Sequence, residues 1–69
     1  MTMSIGESRV RLSFNPSGND LVDEIKLKSA ELIDLCETMR STKDVRCVSL
    51  AQTAYEEAAM WAVKAATTP

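Results

Sequence analysis

The run from Arg46 to Ala66, RCVSLAQTAYEEAAMWAVKAA, contains neither Gly nor Pro and is built almost wholly from good helix formers. It predicts one long helix. At about 100° per residue, Arg46, Ser49, Thr53, Glu56, Glu57 and Lys64 fall into a narrow polar stripe in which Met60 is the only apolar member. Cys47, Val48, Leu50, Ala51, Ala54, Tyr55, Ala58, Ala59, Trp61, Ala62, Val63, Ala65 and Ala66 cover more than half of the circumference. A helix on the surface of a monomer needs an apolar stripe of only about 100° or somewhat more. One helical partner cannot cover so wide a face.

A chain of 69 residues makes one small domain and buries only about 60% of the surface that its unfolded form exposes. Chains of this size are usually reinforced by disulfides, a metal or oligomerisation. There is no His, and Cys36 and Cys47 stand without a second pair, so no metal pattern is present and no metal is expected. Met1 to Phe14 carries Glu7, Arg9 and Arg11 and lacks the apolar run of a signal peptide. The expected compartment is therefore reducing, with both thiols as core residues. Oligomerisation remains. A net charge of −2 argues against a general nucleic-acid binder, although a symmetric assembly can gather a few cations at one axis. No apolar window is long enough for a membrane span.

The segment 1–14 reads as an N-terminal arm: residues 1–8 have no periodicity, whereas Arg9 to Phe14, RVRLSF, alternates as a half-buried strand does. With no second strand to pair with, this segment pairs with the same strand of another copy, lies as an extended arm over the helices, or fails to form as a strand. Asn15 to Asp20, NPSGND, carries turn and cap signals. Ser17 with Asp20, or Asn19, would cap a first helix over about residues 20–40. Its face of Leu21, Val22, Ile25, Ser29, Leu32, Ile33, Leu35, Cys36 and Met39 forms the hairpin core, flanked by Lys26 and Lys28 at the edges. Leu27 points away from that core. Arg40 to Asp44 is a short connection in which Ser41 and Asp44 read as a capping box for a second helix over about residues 43–66. So brief a loop forces antiparallel neighbours. The expected fold is mainly α: an antiparallel two-helix hairpin at residues 15–69, preceded by a short extended segment or strand, assembling into a helical homo-oligomer.

Catalysis has no apparent basis in this composition. There is no His for general acid–base work, no base beside the serines or cysteines, and no glycine-rich phosphate loop, since Gly6 and Gly18 are the only glycines. No catalytic residue and no cofactor is expected. The polar stripe offers another chemistry: Arg46, Ser49, Thr53 and Lys64 supply two cations and two hydroxyls, a set suited to phosphate oxygens and nucleotide hydroxyls. The plainer reading of the stripe is a solvated helix face.

FNPSGN at Phe14 to Asn19, VDEIK at Val22 to Lys26, AELIDLC at Ala30 to Cys36, LAQT at Leu50 to Thr53 and AAMWAVKAAT at Ala58 to Thr67 resemble the anti-CBASS and Thoeris anti-defence (Acb2/Tad1-type) helical hairpin family of small phage proteins. The resemblance implies a sponge: a homo-oligomer of hairpins, commonly a hexamer, that binds cyclic nucleotide immune signals without cleaving them. The implied ligands are cyclic di- and trinucleotides of CBASS and cyclic ADP-ribose isomers of Thoeris, sequestered in the cytoplasm of the infected bacterial host. Carried onto this chain, Arg46, Ser49 and Thr53 would line a symmetric pore, with either Arg46 or Ser49 at its principal position and Lys64 nearby. Lys26 would contact a phosphate at an intersubunit pocket, where Phe14 would stack on a base and Asn15 would hydrogen-bond it. Two other readings stand beside this one: an oligomeric hairpin that is purely structural or binds a protein partner, and a small regulator whose Arg9 and Arg11 meet DNA from a paired strand. Net acidity opposes the last.

Overall fold

The structure, a computed structural model, describes residues 2–69; Met1, the first residue of the expected arm, lies outside them. Three helices follow one another: α1 at Ile5–Val10, α2 at Asp20–Glu37 and α3 at Val45–Thr67. The expected strand at Arg9 to Phe14 is not formed, and no strand occurs among the described residues. The reason is local. Ser4 and Glu7 form a capping box, each side chain accepting from the other's backbone N–H at 3.0 and 2.9 Å, and this starts a helical turn ahead of the alternating residues. Arg11 then stops the helix in the left-handed conformation at φ 56°. Its N–H bonds to the Ser8 carbonyl and the Leu12 N–H to the Glu7 carbonyl, which is the Schellman pattern. Val10 and Leu12 therefore turn toward the core from a helix end and a turn, while Phe14 remains 52% exposed.

Asn19, rather than Ser17, caps α2, its side chain accepting from the Leu21 N–H at 2.8 Å. Gly18 before it takes a φ of 63°, where glycine carries no side-chain penalty. The helix ends at Glu37, short of the expected residue 40, and successive turns carry the chain from Thr38 to Thr42. The expected Ser41–Asp44 capping box is not used either: Asp44 is itself the N-cap of α3, accepting from the Cys47 N–H at 3.0 Å. That bond also holds the Asp44 carboxyl below its ordinary pKa.

The two long helices are antiparallel. At one end the Asn19 side chain donates to the Ala66 carbonyl; nearer the other, Gln52 donates to the Ile33 carbonyl and to Glu37. Beside this hairpin, α1 packs mainly on α2, and the core gathers Val10, Ala30, Ile33 and Ala59, edged by Leu12, Ile25 and Tyr55. Gly6 makes the close approach possible: a Cβ there would fall inside contact distance of the Ala30 carbonyl oxygen and 2.8 Å from Asp34 Oδ1.

The core is narrower than the sequence pattern suggests. Leu21, Leu32 and Leu35 lie outside it and are exposed, as is Met39, and the expected core thiol Cys47 is exposed whereas Cys36 is buried. Leu27 is exposed, as its place on the wheel requires. The extents of 42 × 27 × 12 Å describe a slab, thinner than two layers of helices whose axes stand about 8–10 Å apart. Much of the apolar surface of α3, including Leu50, Ala54, Ala58, Trp61 and Ala65, is uncovered.

Candidate functional site

Where the turn after α1 crosses the hairpin, an open groove of about 300 Å³ is lined by Arg9, Val10, Arg11, Phe14, Lys26, Glu56, Ala59, Met60 and Val63. A second groove of about 330 Å³ adjoins it through Phe14, Lys26 and Val63 and extends to Asn15, Ser17 and Thr67. Four elements build this site. The end of α1 supplies Arg9 and Val10, the turn after it supplies Arg11 and Phe14, α2 supplies Lys26, and α3 supplies the apolar floor and Glu56.

Lys26 is not the solvated flank residue that its wheel position suggests. It is 7% exposed, and its Nζ donates to the carbonyl of Arg11 at 2.9 Å and to that of Phe14. No carboxylate stands within ion-pair distance of it among the described residues. Burial pushes its pKa below the ordinary lysine value and the nearby Arg11 charge adds to this, opposed by Asp23. A cation so placed is stabilised chiefly by backbone dipoles, and an anion in the groove would lower the cost of keeping it charged. Phe14 carries both cations against its ring, with Arg11 Cζ at 4.3 Å and Lys26 Nζ at 5.4 Å from the centroid.

Arg9 is committed elsewhere. Its Nε donates to Glu56 Oε1 at 2.6 Å and its Nη2 to Thr53 Oγ1 at 3.2 Å. The groove thus presents three cations and a single carboxylate in a chain of net charge −2. Of the residues singled out by sequence, Phe14, Asn15 and Lys26 come together here. Asn15 is already engaged: its amide nitrogen donates to the Asn19 carbonyl and to Asp23, and its oxygen accepts from Ser17 and from the Asn19 N–H.

Arg46, Ser49, Thr53 and Lys64 are not part of the groove lining. They lie exposed along α3. Thr53 accepts from Arg9, Ser49 accepts from Arg40 at 3.1 Å, and Lys64 stands 5.3 Å from the Trp61 ring centroid. Beneath the stripe lies Gln52, 1% exposed and without an assigned role in the sequence reading. It donates to the Ile33 carbonyl and to Glu37 Oε1, and accepts from Arg40. The hydrogen bonds from Gln52, and then from Arg40, hold the Glu37 carboxyl below its ordinary pKa.

Sequence reasoning missed Arg9, Arg11 and Glu56 as groove residues, because it placed the arginines on a strand and the glutamate on a wet helix face. The Ser4-to-Glu7 spacing was the available signal, since a capping box there makes residues 5–10 helical and swings both arginines against the hairpin.

A family model described as Acb2/Tad1, hairpin domain, matches residues 5–67. The chain belongs to the Acb2/Tad1 hairpin-domain family. The match takes in α1, the turn that carries Arg11 and Phe14, and the whole Acb2/Tad1 hairpin, so the candidate groove lies within the matched span. Among curated proteins and solved structures no match is found.

Proposed function

We propose that this protein is a phage anti-defence sponge, which binds cyclic di- or trinucleotide signals of CBASS, or cyclic ADP-ribose isomers of Thoeris, in the cytoplasm of the infected host and holds them without cleavage. The observation that carries this reading is the groove in which Lys26 and Arg11, neither paired with a carboxylate, flank the exposed Phe14 ring. An Arg fork and a buried ammonium attract phosphate, and an aromatic face stacks a base at about 1–3 kcal/mol per base. Arg9 joins them only by sharing its guanidinium with Glu56 and Thr53. On α3, Arg46, Ser49 and Thr53, repeated by symmetry, would contact a larger ring, with Lys64 at its edge.

The ligand site calls for more than one copy. A groove of about 300 Å³ is at the lower end of the volumes that hold small molecules and is open, so a cyclic dinucleotide fills more than one copy offers. The surface supports the same reading. The chain exposes 4971 Å², against about 4,300 Å² from size scaling for a chain of this mass. That excess approaches the roughly 800 Å² per partner of a standard interface. Leu50, Ala54, Ala58, Trp61 and Ala65 form one ridge along α3 that a second copy would cover, in a homo-oligomer read here as a hexamer.

The test is a titration of the purified protein with a panel of cyclic di- and trinucleotides and cyclic ADP-ribose isomers, followed by heating to release what is bound. Tight binding with the ligand returned intact is the expected result. A chemically altered ligand would require an enzyme, and no binding across the panel would leave only the structural hairpin reading.

A further inference from the structure

We infer that Glu56 is a specificity-determining residue: its carboxylate, set among the groove cations, admits phosphodiester ligands and turns away nucleotides that carry a terminal phosphoryl group. The inference rests on the reading of the groove as a ligand site, and Lys26, Arg11 and Phe14 keep the ligand contacts given there.

Three observations converge on it. First, Glu56 is the single carboxylate of a lining that holds Arg9, Arg11 and Lys26. Its neighbours on the α3 floor, Ala59, Met60 and Val63, are apolar, and the adjacent Glu57 is exposed outside the groove. Three cations against one carboxylate leave an excess of two positive charges. A cyclic dinucleotide matches that excess, with one negative charge on each of its two phosphodiesters. A nucleoside triphosphate carries about four, since its terminal phosphoryl group alone holds about two. Second, Glu56 answers Arg9 on one oxygen: Oε1 accepts from the guanidinium at 2.6 Å, and Oε2 accepts no hydrogen bond among the described residues. The carboxylate is held in place with an acceptor unspent. Third, the pair adds little to the fold, because its side chains are 25% and 36% exposed and ion pairs so open to solvent contribute little stability.

A carboxylate in this position lowers the affinity of every anion, and lowers it further the more charge the anion brings. Discrimination follows from that difference. Nucleoside triphosphates share the base and phosphates that Phe14, Arg11 and Lys26 would hold, so a sponge for cyclic ligands needs a means of refusing them.

The experiment titrates ATP and 3′,3′-cyclic GMP–AMP, at fixed salt and without divalent cations, into wild type, Glu56→Gln, Arg9→Gln and the double variant. Glutamine keeps an oxygen that accepts from Arg9 and removes the charge. Glu56→Gln should tighten the cyclic dinucleotide about threefold and ATP, with twice the charge, about tenfold, so the preference for the cyclic ligand shrinks about threefold. Arg9→Gln leaves Glu56 unopposed and should widen the preference by about the same factor. The double variant, whose groove charge equals that of wild type, should return close to it. An unchanged preference in Glu56→Gln overturns the inference. So do single variants that shift the preference in the same direction, which is what a shared structural role produces. Amide exchange at Val10 reports whether α1 stays docked. If Glu56→Gln frees α1, the decision passes to Glu56→Asp, which loosens the contact with Arg9 but keeps the charge: a preference that shrinks with glutamine and not with aspartate upholds the inference, and one that shrinks equally with both overturns it. Should wild type bind no cyclic nucleotide, the functional reading fails and ATP alone decides the role of Glu56: binding about tenfold tighter in Glu56→Gln upholds it, and binding no tighter than wild type overturns it.

Discussion

Gly6→Ala sets two physical expectations of opposite sign against each other. Helix propensity alone says that alanine in α1 should stabilise the chain by about 1 kcal/mol. The packing says the reverse, because a Cβ at Gly6 collides with the Ala30 carbonyl and stands 2.8 Å from Asp34 Oδ1. Both obstacles belong to α2, one of them backbone, so α1 must lift. Lifting it breaks the 2.7 Å bond from the Gly6 N–H to the Asp34 carboxylate, worth about 1.5–3 kcal/mol as a charge-assisted hydrogen bond. It also uncovers Val10, which is 6% exposed and contributes about 1.5–3 kcal/mol by burial. The expected net loss, with the propensity gain set against it, is about 2–5 kcal/mol, a large share of the roughly 3–10 kcal/mol available to a chain of this size. Because α1 can undock while the hairpin persists, the loss should be local. Urea unfolding followed by circular dichroism measures the total, and amide exchange at Val10 against Ile33 locates it. A stability within about 1 kcal/mol of wild type together with undiminished protection at Val10 would refute the close-approach argument. The same variant should weaken any ligand of the groove, since Arg9 and Arg11 leave with α1.

Three further outcomes follow from the hairpin. Gln52→Leu, which keeps volume but removes the bonds to the Ile33 carbonyl, Glu37 and Arg40, should cost about 1–3 kcal/mol in urea unfolding; an unchanged midpoint would mean that this buried amide does not pin the helix register. Glu37 has a folded pKa below its unfolded value, set first by Gln52 and then by Arg40, so its contribution is present above the ordinary glutamate range and is lost as pH falls through the lower folded value. The midpoint difference between wild type and Glu37→Gln should therefore shrink between about pH 6 and about pH 3, and a difference constant with pH would contradict that linkage. Ala58→Glu places a charge on the exposed ridge of α3 and should reduce the mass measured by light scattering without unfolding the chain; an unaltered mass would remove this ridge from the assembly.

The hairpin was legible because its signals are local. Asn19 ahead of an apolar-periodic run, a short polar connection and an uninterrupted helix former from Arg46 onward each act within a turn or two. The excess of apolar surface on α3 was legible for the same reason, and in the slab it remains uncovered along the ridge through Leu50 and Trp61. The alternation of Val10, Leu12 and Phe14 misled, because three residues at a period of two also arise from a helix end followed by a turn. Longer patterns separate the two; this one is too short.

What the sequence by itself determined, then, is direction: which side of each hairpin helix is apolar, about where the two hairpin helices start, and that a single hairpin cannot cover its own surface. What only the tertiary structure decided is depth and partnership. A helical wheel places Lys26 at the edge of a face, but whether its ammonium meets water or the carbonyls of Arg11 and Phe14 depends on a turn twelve and fifteen residues away in sequence. Arg9 finds Glu56 and Thr53 across separations of 47 and 44 residues. Periodicity carries no information about such pairs, since burial of a charge and the choice of its partner are set by distance through space.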